Sequence, residues 1–159
     1  MPWLLANAAG DIAYSAVMTA ATLLDLGDEP FVLLTTFRRN GERVATPVWI
    51  TRDGDHLAVI TPAGTGKVKR IAHTPAVELT PCDRRGRPKP WAETLSGRAE
   101  VRHSPADAEA ARALVKTKYG MQFRIFTGIE RIARRLEEPT RVALWIHPTA
   151  DVPGSLAQP

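Results

Sequence analysis

One cysteine, Cys82, stands in 159 residues, so no disulfide can close within the chain. That fits a reducing, cytoplasmic setting, and a lone cysteine is most simply a small buried residue. The four histidines, His56, His73, His103 and His147, show no H-x-x-x-H spacing. With a single thiol they supply no zinc-ligand pattern, so no metal site is expected. There is no G-x-S-x-G nucleophile turn, and Glu137-Glu138 read as a helix end rather than a catalytic pair. The first lysine or arginine is Arg38, so no basic stretch leads the apolar N-terminus and we expect no signal peptide. Long hydrophobic runs are missing too. The uncharged stretch 12–24 is too short to span a bilayer.

Charge is only mildly unbalanced. Twenty-one Lys and Arg against 17 Asp and Glu leave a net charge of +4, with a pI of about 9.6. This suits an anionic ligand. Without an RNP-type aromatic motif or zinc-finger spacing it does not call for nucleic acid.

The most informative stretch is ITPAGTGKVKRIAH, residues 60–73. A strand end runs into a loop with two glycines, then into a short helix carrying Lys67, Lys69 and Arg70. Glycine lets a backbone approach a ligand closely, and a helix N-terminus favours phosphate. A nucleotide-hydrolysing P-loop is excluded, because Thr61 and Val68 stand where its first glycine and its Ser/Thr would fall. The plain alternative is a solvated basic helix face.

In chain order, a helix is expected from about 11 to 26, ended by Gly27. Strands are expected at 31–38, 43–51, 56–61, 76–82, 91–102 and 141–147, from their alternation and β-branched content. Asn40-Gly41 marks a hairpin, and Asp53-Gly54-Asp55 another turn. Pro47 has no N–H for a ladder, which places an edge or a bulge there. The Arg-, Gly- and Pro-rich stretch 83–90 reads first as a solvated loop, the alternative being that its basic residues reach an acidic ligand tail. Helices are expected at 104–119, stopped by Gly120, and at 122–136. The tail from 149 is rich in Pro, Ala, Gly and Ser and is expected to be mobile. Six mostly antiparallel strands with inserted helices give a mainly β, closed or half-closed barrel in a single domain, with 1–28 as a helical extension. No acid, base or nucleophile set emerges, so a cofactor would carry the chemistry.

Several motifs occur in one order: LLTTFRRNG, TPVW, GKVKRI with Pro75 four residues later, PCDRRGRP and KYGMQFRIF. Together they resemble the pyridoxamine-phosphate-oxidase-like split β-barrel superfamily over residues 31–147. The pattern is most similar to its branch of small oxidoreductases that use the deazaflavin coenzyme F420. The resemblance implies a homodimer with the cofactor in a groove at the subunit interface. It implies phosphate contacts from 61–70, with Lys67 foremost, Thr61 and Gly66 beside it, and Lys69 and Arg70 behind. Thr46, Pro47, Val48 and Trp49 would lie along the tricyclic ring, and Arg124 would complete the site from the other subunit. The implied reaction is hydride transfer between the deazaflavin and a small electron-poor molecule. Two other readings remain on the same fold: an FMN-binding oxidase or reductase, and a non-catalytic carrier of a flavin-like or tetrapyrrole ligand.

Overall fold

The computed structural model describes residues 22–123 and 140–149. Seven antiparallel strands form one sheet: β1 (Val32–Phe37), β2 (Arg43–Val48), β3 (Thr51–Asp53), β4 (His56–Pro62), β5 (Ala76–Pro81), β6 (Leu95–Arg102) and β7 (Arg141–Pro148). Helix α1 (Gly66–His73) follows β4, and α2 (Pro105–Phe123) follows β6. The strand order is β2-β1-β5-β6-β7-β4-β3. The two outermost strands, β2 and β3, are therefore consecutive in the chain and separated only by Trp49 and Ile50. Such a sheet must curl until its two ends meet, which makes a split barrel with its seam at Trp49-Ile50.

The alternation seen in the sequence sets the faces. Val32, Leu34, Val48, Leu57, Val59, Leu79, Leu144 and Ile146 point into the barrel, joined by Val68 and Ile71 of α1. Ala58 and Ile60 point the other way, where Ala111 and Val115 of α2 cover them. Strand β4 is thus packed on both faces, which is why it reads as an almost unbroken apolar run. Pro47 lies in the edge strand β2, opposite Leu33, where its missing N–H costs no ladder bond. Gly41 and Gly54 hold φ of 86° and 61° in the two hairpin turns.

Four expectations need correction. The strand expected at 43–51 is two strands, broken at Trp49-Ile50, so the count among the described residues is seven and not six. Strand β6 begins at Leu95, not at 91. The Thr94 hydroxyl is bonded to that of Thr80 at 2.8 Å, outside the ladder. Gly120 does not stop α2, which continues to Phe123. A helical glycine costs only about 1 kcal/mol relative to alanine. The start of a second helix at 122 fails with it, and its remainder, with Arg124, lies outside the described residues. So do most of the N-terminal extension and the tail from 150. Of the extension, residues 22–25 are helical and pass into a short 3-10 turn, Leu26–Asp28. Leu23, Leu24 and Leu26 are buried in the core. Among the described residues no helix is long and apolar enough to cross a membrane.

That turn lies hard against β3. A Cβ on Gly27 would come 2.7 Å from the Cβ of Arg52 and 2.8 Å from its backbone nitrogen. Backbone cannot yield as a flexible side chain can, so Gly27→Ala is expected to destabilise the fold by about 2 kcal/mol. A thermal melt should show a Tm lower by roughly 5 °C or more; an unchanged Tm would mean that the turn is free to move.

Candidate functional site

A cavity of about 410 Å³ opens beside the seam. Phe31 before β1, and Pro47, Val48 and Trp49 at the end of β2, form one wall. Ile60, Thr61 and Pro62 at the end of β4 form another. Three cations reach it from separate elements: Lys67 from α1, Arg84 from the loop after β5, and Arg141 from the start of β7. Among the described residues no carboxylate, imidazole or thiol lines it. The cavity thus offers apolar walls and a positive rim, with no evident acid–base catalyst beyond the Lys67 amine.

Each cation is held by local structure. The Thr65 hydroxyl donates to the Pro62 carbonyl at 3.0 Å, closing the turn between β4 and α1. The first turn of α1 then carries Lys67 back over β4, where its Nζ donates to Thr61 Oγ1 at 3.2 Å. Burial, and secondly the charge of Arg70, hold the Lys67 amine below its ordinary pKa. Arg84 comes from the loop that reads as solvated in the sequence. The Asp83 carboxylate accepts from the backbone N–H groups of Arg85 and Arg87 at 2.8 and 3.0 Å, and from Arg87 Nε at 2.8 Å. Gly86, with φ of 80°, lies against Pro47 and Leu33. The loop is therefore packed onto the outer face of β1 and β2, and Arg84 is delivered to the cavity.

The seam itself is held by two residues that sequence reasoning passed over. Tyr119 Oη accepts the Ile50 N–H at 2.9 Å and donates to the Pro30 carbonyl at 2.8 Å. Its ring stacks on Trp49 with centroids 5.2 Å apart. Burial pushes the phenol above its ordinary pKa, so the hydroxyl stays protonated as this geometry requires. Next to it, Lys118 Nζ donates to the carbonyls of Gly27, Glu29 and Ile50 at 2.6, 2.6 and 2.5 Å. Burial lowers the Lys118 pKa to about 8, against the opposing pull of Asp28 and Glu29. Three carbonyl acceptors need three N–H donors, which is the ammonium form. Through these bonds α2 fixes the backbone just before Phe31 and just after Trp49, two residues of the cavity walls. The available signal was the spacing: Ala108, Ala111, Val115 and Tyr119 share one helical stripe, and a buried tyrosine hydroxyl needs a partner.

The structure brings Thr61, Lys67, Pro47, Val48 and Trp49 together at one cavity. It does not bring Thr46 there. That residue pairs with Leu34 one step back along β2 and is half-buried. Gly66, Lys69 and Arg70 line a different depression, on the other flank of α1. Of the remaining chemistry-bearing groups, Cys82 is fully buried, and burial with the neighbouring Asp83 pushes its thiol up to about 11. That fits a packing role. Among the described residues no three His, Cys, Asp or Glu side chains are grouped to hold a metal.

Comparison with solved structures finds the same fold repeatedly. One is a conserved hypothetical protein, Rv2991, from Mycobacterium tuberculosis, with TM-score 0.60 and 16% identity over 81% of this chain and 79% of that one. An F420 reductase matches with TM-score 0.54 and 22% identity over 79% and 91%. HutZ, the heme storage protein from Vibrio cholerae, matches with TM-score 0.52 and 11% identity over 81% and 89%. At these identities the likeness is one of fold. Comparison with curated proteins gives no match. The sequence model of one family covers residues 18–150, most of the chain and every described element of the barrel. The chain belongs to that family, pyridoxamine 5'-phosphate oxidase, and its barrel is the split barrel of that superfamily.

Proposed function

We propose that this protein is an oxidoreductase that binds coenzyme F420 in the cavity beside the seam and serves hydride transfer to or from a small, electron-poor organic molecule. The observation that carries the reading is the pairing of Lys67 with Thr61 at the head of an apolar slot that, among the described residues, has cations on its rim and no carboxylate. Those groups fit a ligand with a phosphate at one end and a flat ring at the other. When bound, the deazaflavin supplies the hydride chemistry. Lys67 and the Thr61 hydroxyl hold the phosphate, Trp49, Pro47 and Val48 pack along the ring, and Arg84 faces further negative charge. The F420 reductase among the structural neighbours supports the choice of cofactor, and the match to the family supports a flavin-type ligand in general. Pro47 remains exposed at the cavity mouth, and we propose that a second copy of the chain covers it in a homodimer, with Arg124 contributed across the interface.

Equilibrium binding of the purified protein to oxidised F420 and, separately, to FMN tests this by ligand fluorescence. Tighter binding of F420, weakened by substitution of Lys67, is the expected result. Preference for FMN would transfer the reading to a flavin enzyme on the same barrel. Binding of neither would overturn the assignment of the cavity.

A further inference from the structure

The basic side chains of α1 divide between two places. Lys67 turns into the cavity beside Thr61, whereas Lys69 and Arg70 line an open depression of about 480 Å³ with Arg38, Arg39 and Asn40 of the β1–β2 hairpin. We infer that this depression is a second oxyanion site, separate from the cavity of Lys67, which takes the phosphoryl or carboxylate groups of a small polyanion.

Arg70 is its anchor. Its Nε donates to Thr36 Oγ1 at 2.7 Å, and Thr36 is buried in β1. The guanidinium then folds across Gly66, where a Cβ would lie 2.7 Å from Nη1. The two Nη groups carry no protein hydrogen bond among the described residues, and they form the planar fork that suits an oxyanion. The opposite side is equally fixed. The hairpin turn is closed by Arg38 N–H to the Glu42 carbonyl, by Gly41 N–H to the Arg38 carbonyl, both at 2.9 Å, and by Glu42 N–H to Asn40 Oδ1 at 3.0 Å. Arg38 and Arg39 project from that closed turn.

Charge decides between a site and ordinary surface. Elsewhere the chain pairs exposed and half-buried cations alike: Arg43 with Glu78, Arg87 with Asp83, Lys89 with Glu29, and Arg102 with both Glu100 and Asp107. Here, among the described residues, Arg38, Arg39, Lys69 and Arg70 line one depression with His73 and no carboxylate; Glu42, outside that lining, lies 3.5 Å from Arg38 Nε. Lys69 and Arg39 have no protein partner among the described residues. Like charges held this close repel one another, and an anion seated between them would relieve that repulsion. The volume of the depression and the number of cations fit a ligand with more than one oxyanion.

Calorimetric titration of the full chain with pyrophosphate at low ionic strength tests the inference. Arg39→Gln and Lys69→Gln alter exposed side chains outside the core, and each is expected to weaken one binding event roughly tenfold. Glu42→Gln is expected to tighten the same event, a gain that no folding defect can imitate. Lys67→Gln is expected to leave that event in place, whatever it does to the other cavity. A parallel titration with citrate separates the two ligand chemistries, since the tighter of the two probes assigns phosphoryl or carboxylate. The inference is overturned if the parent binds neither probe. It is also overturned if only Lys67→Gln abolishes binding, or if every loss of positive charge, Lys67 included, weakens binding equally as a diffuse surface would.

Discussion

Lys118→Met is expected to destabilise the protein by about 3 kcal/mol and to loosen the ligand cavity with it. Methionine preserves the length and the apolar stem of the side chain, so the loss isolates the ammonium. What disappears is one donor group serving three carbonyls, those of Gly27, Glu29 and Ile50. These belong to segments that no ladder joins to one another: the turn before β1 and the seam between β2 and β3. A buried acceptor left without a donor costs roughly 1–3 kcal/mol, and partial access of water to this half-buried site keeps the total near the lower end of the sum. Arginine should not rescue, because a planar fork cannot aim at three carbonyls converging on a point. Urea unfolding reads the effect as a lower midpoint at unchanged slope. Ligand affinity and Trp49 fluorescence read its consequence at the seam. An unchanged midpoint would show that Tyr119 alone holds the seam.

The barrel was legible because its signals are local. The apolar, β-branched runs at 32–37 and 56–62, the Asn40-Gly41 turn and the Thr74-Pro75 stop each act within a few residues of themselves. The seam was not. Val48-Trp49-Ile50-Thr51 reads as continuous strand, and the break is imposed by Tyr119, 69 positions from Ile50 in sequence. The same distance hid Lys118, which by itself looks like one more polar residue on an amphipathic helix. The site was legible to the extent that one strand end and one helix turn compose it. Lys67, Thr61 and Trp49 share one cavity. Lys69 does not, for a reason the helix period already contains: two residues advance about 200°, so Lys67 and Lys69 flank the buried stripe of Val68 and Ile71 on opposite sides. A ligand contact from the basic loop 83–90 stood only as the second reading, and Arg84 was not singled out, because nothing local marks a loop as folded over Pro47. That depends on Gly86 meeting Leu33 and Pro47 of a hairpin far back in the chain.

Lys67→Met is expected to weaken cofactor binding by roughly 10- to 100-fold, the worth of one charge-assisted hydrogen bond to phosphate, while leaving the thermal unfolding curve nearly in place. Its side chain makes a hydrogen bond to a threonine hydroxyl and, among the described residues, no ion pair, so the fold loses little. The pH dependence gives a second, independent reading. In the free protein burial, and secondly Arg70, hold the amine below its ordinary pKa. An anion bound beside it raises that pKa. Between the two values the complex binds a proton that the free protein does not, so complex formation takes up protons. Affinity must therefore fall as the pH rises through the pKa of the free protein, and level off once the pKa of the complex is passed. The Met variant has no such proton to gain, and its affinity should lack that alkaline slope. Titrations repeated across the alkaline range in buffers of different ionisation enthalpy would measure both the slope and the proton uptake. A parent whose affinity is flat over that range would remove Lys67 from the phosphate and leave the rim to Arg84 and Arg141.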